Sequence, residues 1–501
     1  MEAKNLEDFF VFLHRIENEI DINHFKVDGV DYWPLIRTSI WMKYRESYLS
    51  RNNKVFRVVE NDFTYKLLNL LRSFFKGHLF YLFGSRKLQK ADILFFGDIS
   101  SLRKHSEVQG RYIDNFFDPL VEKFNGIRSV FILRQNFAFL RPINGLNDYQ
   151  VIGFDFIMYS LKSLLIFKRP QFPLEFTQEY NRLRCNYVNV VDLVPTIKYL
   201  SRHIAMTHSF KSLMLKYLKS VDPKVVFVTH YNSHLSNSLI YAAKTLGIPV
   251  VDVQHGVINR LHPTYSYANQ NIFGLNSVPH AFIVNDKMSY DVLSKWIPLE
   301  RIHLLSHTHE MPIKRSGLNL ESILLDSIDT IVAGRKLVLI TLSWENGVND
   351  LLIETVNKLR ESVYFMFRLH PSTSEMEENR LRKVLRNQLY SRNYHIHCAK
   401  ELSLDLLLEK VDLHITDCST VVIESLKFRK RSIVVSQIGL EYYTDLVQSG
   451  IIMFAQSSFE LLNLLNDENT YQLHSSMPLV DSGLKNNLNF DLFIKGLEDT
   501  K

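Results

Sequence analysis

Short apolar runs of parallel-strand character recur along this chain in two successive series, each run alternating with a segment of helical periodicity. The first series reads as strands at 91–96, 128–133, 224–229, 248–253 and 280–284, with helices at 114–124 and 233–246. The second reads as strands at 336–343, 363–368, 394–397, 411–415 and 431–436, with helices at 351–361, 375–389 and 419–428. Strand, helix and strand at this spacing form a βαβ unit, and repeated units make a parallel sheet covered by helices on both faces. The chain is therefore predicted to be α/β, with two Rossmann-like domains facing a cleft. In such sheets the loops at the carboxyl ends of the strands face the ligand crevice, so the strand-end residues are the candidates for chemistry.

A length of 501 residues allows two or three domains. Hydrophobic residues at 46% and charged residues at 22% are ordinary for a globular protein and exclude wholesale disorder. The polar stretch 314–335 separates the two series and marks the boundary between them. The expected organisation is a helical N-terminal region at 1–90, a first Rossmann-like domain at 91–313 with a helical insert at 173–221, and a second domain at 336–488. A closing helix at 489–501 is expected to pack back on the first domain.

Cys185, Cys398 and Cys418 are widely spaced and include no Cys-x-x-Cys, which supports neither a disulfide framework nor a zinc site and points to a reducing cytosol. Residues 1–19 are acidic and helical in pattern, unlike a signal peptide, and no apolar run is long enough for a membrane span. The net charge of +6 fits a protein beside anionic membrane as well as it fits a nucleic-acid binder. Residues 64–90 combine many Leu and Phe with Lys66, Arg72, Lys76, Arg86, Lys87 and Lys90 and contain no acid. That composition suits a helix lying in a membrane interface, or one buried between domains with its lysines reaching out to water. Residues 156–172 are a weaker second case.

Gln254-His255-Gly256 follows the strand at 248–253, where a neutral imidazole is placed to act as general base on an acceptor hydroxyl and Gly256 allows a tight turn. Asp98 ends the first strand and is the rival base. In the second series, Arg368 and His370 stand on alternate residues past a strand, so they point to one side of the chain, and Pro371 stiffens the loop. Two hydrogen-bonding cations on one side suit a phosphate. Asp417-Cys418-Ser419-Thr420 leads from a strand into a helix, where Ser419 and Thr420 either cap the helix or, with its free N–H groups, hold a phosphate. Glu424 follows one turn later, placed to bond a ribose diol. No Asp-x-Asp, no P-loop, no Gly-x-Gly-x-x-Gly and no Gly-x-Ser-x-Gly occurs, so metal-bound donor chemistry, kinase-like ATP use, dinucleotide redox chemistry and α/β-hydrolase chemistry lack their signals.

Together, Gln254-His255-Gly256, Arg368-Leu369-His370-Pro371 and Asp417-Cys418-Ser419-Thr420 with Glu424 resemble the motif set of bacterial surface-polysaccharide glycosyltransferases of GT-B fold. That group includes capsule Kdo transferases and, more distantly, polysialyltransferases and CDP-glycerol glycerophosphotransferases; the resemblance spans about 91–454. Residues Trp33 to Arg37 are also similar to the leader region of capsule-cluster transferases, whereas Glu345-Asn346-Gly347 only half matches the acidic motif of polysialyltransferases. The resemblance implies His255 as base, with His370, Ser419 and Thr420 on the donor phosphate. It further implies a nucleotide-sugar donor, a lipid-linked or oligosaccharide acceptor, no metal, no nucleic acid, and a cytoplasmic protein peripheral to the inner face of the membrane. A CDP-alditol phosphotransferase, a non-catalytic polysaccharide assembly protein, and a sugar nucleotidase or epimerase that turns over without any acceptor are the alternatives.

Overall fold

The computed structural model describes residues 5–52, 89–98, 102–104, 112–114, 116–124, 126–135, 150–155, 170–187, 191–305, 320–342, 348–359, 361–369, 375–389, 394–396, 402, 404–472 and 490–498. Two compact units divide the chain: Met1–Leu49, Val59–Met311 and Gly483–Lys501 form one, Ser50–Val58 and Pro312–Ser482 the other.

In the first unit, α1 (Leu6–Glu19) and α2 (Trp33–Asn52) flank a hairpin of β1 (Lys26–Val27) and β2 (Val30–Asp31). The parallel sheet begins with β3 (Ile93–Asp98). A separate antiparallel pair, β4 (Leu102–Lys104) and β5 (Tyr112–Asp114), leads into α3 (Asp118–Lys123). The helix expected from residue 114 starts later, because Asp114 Oδ1 accepts from the N–H groups of Phe116 and Phe117 at 2.9 Å. Asp118 Oδ2 in turn accepts from Asp114 N at 2.7 Å, and this pair of local bonds holds a turn before the helix. After it come β6 (Ser129–Gln135), β7 (Gln150–Asp155), α4 (Leu174–Asn186) and the long α5 (Ile197–Val221). The remaining elements are β8 (Val225–Val228), α6 (His234–Thr245), β9 (Val250–Val253), β10 (Ala281–Val284), α7 (Lys287–Leu293) and β11 (Ile302–Leu304).

The strand order is β11-β10-β9-β8-β3-β6-β7, with every neighbouring pair parallel. The chain therefore runs outward from β3 through β6 to β7 and then returns to β3's other side at β8, which is the Rossmann sequence of strands. β8, β9 and β10 are buried along their whole length, as continuous apolar runs covered on both faces must be. Asp252 is the exception within them.

The second unit opens with α8 (Leu320–Val332), which lies in the stretch read as a polar boundary yet sends Ile328 and Val332 into a core with Leu337 and Leu339. β12 (Lys336–Thr341), α9 (Asp350–Lys358), β13 (Val363–Arg368), α10 (Glu375–Gln388), β14 (Tyr394–His395), α11 (Leu404–Lys410) and β15 (Leu413–Thr416) follow. Then come α12 (Val421–Lys427), β16 (Ser432–Val434), α13 (Gln437–Tyr442), α14 (Thr444–Gln448), β17 (Met453–Phe454) and α15 (Ser458–Asn466). The order β14-β13-β12-β15-β16-β17 is again parallel throughout and again reverses beside its first strand, between β12 and β15. The last helix, α16 (Phe490–Glu498), belongs to the first unit, where Phe490, Phe493, Ile494 and Leu497 join Phe95, Phe124 and Phe227 in one core. The fold is thus α/β with two Rossmann-like domains, as the two series of strand signals predict.

Residues 64–88 and 156–169, which hold most of both basic aromatic stretches, lie outside the described residues, as do Glu345-Asn346-Gly347 and His370-Pro371. Among the described residues, no helix is long and apolar enough to cross a membrane.

Candidate functional site

The topological switch point of the first sheet lies between β3 and β8, so the loops leaving the carboxyl ends of β3, β8 and β9 border it. Asp98 is the final residue of β3, paired in register with Arg134 of β6. His230 stands two residues beyond β8 and His255 two residues beyond β9. Because the two strands are adjacent, the two imidazoles meet: their ring centroids lie 3.3 Å apart, tilted by 39°. Phe116 presents its edge to His255 at 6.5 Å.

His230 reaches this position in the left-handed backbone region, with φ 57°, a conformation costing a non-glycine residue roughly 1–2 kcal/mol. Ser233 N donates to His230 O at 2.9 Å, closing the turn ahead of α6. Asp252, one residue before the end of β9, ties both loops to the sheet. Its Oδ1 accepts from Tyr231 N at 3.2 Å and its Oδ2 from the Tyr265 hydroxyl at 2.6 Å. Burial pushes the Asp252 carboxyl up to about 8, against the pull of those two hydrogen bonds. Behind His255, Gln254 Nε2 donates to Gly256 O at 2.8 Å and to Asp286 Oδ2 and Ser289 Oγ at 2.9 Å, and Gln254 Oε1 accepts from Asn285 N at 2.7 Å. The side chain next to His255 is therefore saturated with partners, which fixes the start of the loop.

His255 itself keeps a buried Nδ1 that has no hydrogen-bond partner. Burial, then His230, then His262 hold its pKa well below 6.5, so the ring is neutral at physiological pH. His262 completes the group: burial, His230 and Arg37 lower it to about 3. Its Nδ1 accepts from Thr264 N at 3.3 Å, which in a neutral ring leaves the proton on Nε2. The unpaired nitrogen of the neutral His255 ring is free to accept a hydrogen bond at the switch point of the sheet. His230 and His262 were not among the residues read from the sequence, although His230 repeats His255's position two residues past a strand.

The helical N-terminal region holds the outer side of this loop. Arg37 and Glu17 are fully buried and paired at 2.6 Å, and Arg37 also donates to the carbonyls of Pro263 and, at 2.6 Å, Ser266. Glu17 accepts in addition from Trp33 Nε1 at 3.2 Å and Ala268 N at 3.1 Å. The Trp33 to Arg37 segment is thus an internal brace for residues 263–268.

In the second unit, Arg368 ends β13 and donates from Nη1 to Leu402 O at 2.8 Å. The 417–420 loop leaves β15 beside that sheet's switch point. Ser419 N donates to Thr416 Oγ1 at 3.2 Å, and Ser419 Oγ accepts from Val421 N at 3.3 Å, so this serine serves its own turn. Thr420 occupies the N-cap position in helical geometry with no side-chain cap bond, and Glu424 is partly buried in the first turn of α12. Gly439 lies so close that a Cβ there would fall 2.0 Å from Asp417 O. Beneath the loop, His414 is wholly buried between Thr341 Oγ1 at 2.8 Å and Ser432 Oγ at 2.9 Å, and burial lowers it to about 3. Among the described residues, no group of three His, Cys, Asp or Glu side chains forms a metal cage.

No protein-family model and no curated protein matches the chain. Among solved structures, it resembles a UDP-N-acetylglucosamine 2-epimerase at 14% identity over 77% of this chain and 90% of that one, with a TM-score of 0.46. CalG4, the calicheamicin glycosyltransferase, is 11% identical over 82% of this chain and 95% of its own, with a TM-score of 0.42. HepE from Anabaena, solved with UDP and glucose, is 12% identical over 76% and 91%, with a TM-score of 0.42. Likeness at this level assigns no residue a role.

Proposed function

We propose that this chain is a glycosyltransferase that moves a sugar from a nucleotide-sugar donor to a lipid-linked or polysaccharide acceptor in bacterial surface-polysaccharide synthesis. The observation that carries this reading is the close pair of imidazoles, His230 and His255, at the switch point of a Rossmann-ordered sheet, in a chain that has a second such sheet. His255 takes the proton of the attacking acceptor hydroxyl, with Asp98 as the rival base. The donor belongs to the second unit, at the loops carrying Arg368, His370, Ser419 and Thr420, with Glu424 on the ribose. The leaving phosphate is met by protein groups rather than a metal, so activity should survive EDTA. The protein works in the cytoplasm at the inner face of the membrane, using its basic aromatic stretch at 64–90.

A thermal-shift screen against UDP-, GDP-, CDP- and CMP-linked sugars tests the reading, since a ligand at 100 times its Kd adds about 2.7 kcal/mol to stability. Stabilisation by one nucleotide class, followed by sugar transfer only when an acceptor is added, supports it. Turnover without acceptor points to an epimerase or nucleotidase instead, and turnover of a CDP-alditol to a phosphotransferase.

A further inference from the structure

Among the described residues of the first unit, a pocket of about 580 Å³ opens between α2, α5 and the start of α6. Leu35, Met42, Met206, Phe210 and Leu235 give it apolar walls, and Tyr199 stands beside them. Its size is within the roughly 300–1,000 Å³ of small-molecule sites. Large apolar side chains remain partly in water around it, Met42 at 48% and Tyr199 at 42% exposure.

The charge around this pocket has one sign on α5. That helix has 25 residues and not one Asp or Glu among them, while Lys198, Arg202, Lys216 and Lys219 are exposed. Arg202 is three residues from Tyr199 and four from Met206, so it shares the helix face that lines the pocket. Lys43, on α2, lies in the pocket wall itself. An apolar cavity with cations beside it selects a ligand that is apolar along its length and anionic at one end. The wall also includes Asn232 and Ser233, and Asn232 is two residues from His230, which bounds their separation along the chain at about 7 Å.

We infer that this pocket holds the hydrocarbon chain of a lipid phosphate, whose anionic end is met by Lys43 and Arg202. That this lipid is the acceptor rests on the function proposed above; that it binds does not. On that reading, a sugar hydroxyl carried beyond the phosphate of such a lipid is brought toward the His230–His255 pair while the chain stays out of water.

Farnesyl phosphate serves as a soluble probe, with farnesol as its uncharged partner, in titrations of the full chain. The expected result is saturable binding of farnesyl phosphate, at least tenfold tighter than farnesol, with the difference lost in a Lys43→Ala, Arg202→Ala double variant. Met206→Trp and Ser39→Phe, which fill the pocket, should each weaken binding tenfold or more while nucleotide-sugar binding is unchanged. A diazirine-bearing farnesyl phosphate should label peptides from 35–43 and 199–210 in the unmodified protein, a readout that needs no variant. Absent binding, equal affinity for farnesol, undiminished binding in the filled variants, or labelling elsewhere each overturns the inference. Competition by anionic vesicles lacking a prenyl chain would assign the site to bulk membrane lipid and reject it as a site for the acceptor. Because none of these readouts uses turnover, they fail independently of the glycosyltransferase reading.

Discussion

His230 and His255 sit at equivalent positions on adjacent strands, each two residues past its strand end, with ring centroids 3.3 Å apart. The pair exists because β8 and β9 are adjacent parallel strands whose loops leave the sheet at the same edge, although the register that pairs Val228 with Asp252 leaves the two histidines one position out of step. It is held in place by the Asp252 carboxyl group, which grips both loops at once.

His255→Ala should lower turnover by about 100-fold or more while leaving donor affinity unchanged, since a general base acts on the reacting proton and not on the bound nucleotide. Paired kinetics and calorimetry check it. An active His255→Ala beside an inactive Asp98→Asn would transfer the role to Asp98.

Stability should fall on acidification. Burial holds His203, His262 and His414 at about 3, so in the native state each refuses a proton that the unfolded chain accepts below about 6.5. Their contribution is complete above pH 6.5 and is lost progressively as pH falls toward 3. Asp252, raised to about 8, acts oppositely, costing stability as pH rises from about 4 to 8, and the raised carboxyls of Glu17 and Asp31 act with it, but His14 and His303, held at about 4, add to the histidines that outnumber them. Urea titrations at pH 5 and pH 7 should show a midpoint lower at pH 5, and His414→Asn should shrink the gap by close to one proton's worth. A midpoint that is higher at pH 5 contradicts the assignment of these rings as buried and neutral.

Arg37→Ala should destabilise the first unit by about 3–5 kcal/mol, because it leaves the Glu17 carboxyl buried without its partner and frees residues 263–268 from their brace. Chemical denaturation followed by tryptophan fluorescence reads this, as Trp33, Trp41 and Trp296 all lie in that unit. A loss below about 1 kcal/mol would show the pair to be incidental.

Gly439→Ala should disturb the 417–420 loop, since the new methyl would lie 2.0 Å from Asp417 O and 3.0 Å from Val434 Cβ. The expected cost is about 1–3 kcal/mol of overpacking in the second unit, with weakened donor binding. Unaltered affinity in a folded variant would remove that loop from the donor site.

Much of the fold was legible because buried parallel strands are largely apolar runs: β8, β10, β12 and β13 announce themselves in this way. The strands that were missed are edge or near-edge pieces. β11 and β17 have three and two residues, too short for any period to register, and β7 is interrupted by Gly153. α8 lies inside a stretch whose flanks are polar and basic, which hides a helix that packs through Ile328 and Val332. At the site, His255 was visible from its strand-end place and its glycine. His230 lacked a glycine after it and its meeting with His255 depends on strand order, which no local pattern encodes. The roles of Arg37 and Asp252 depend on partners more than two hundred and just over ten residues away, respectively, and so emerge only in three dimensions.

Radiolabelled sugar, followed from the nucleotide donor that binds into the lipid extract of bacterial membranes, decides whether the chain transfers sugar to a lipid acceptor. Acceptor-dependent label should appear in the lipid fraction, reduced about 100-fold by His255→Ala. Label that stays on the nucleotide as an epimer, or appears as free sugar without any acceptor, would contradict that transfer.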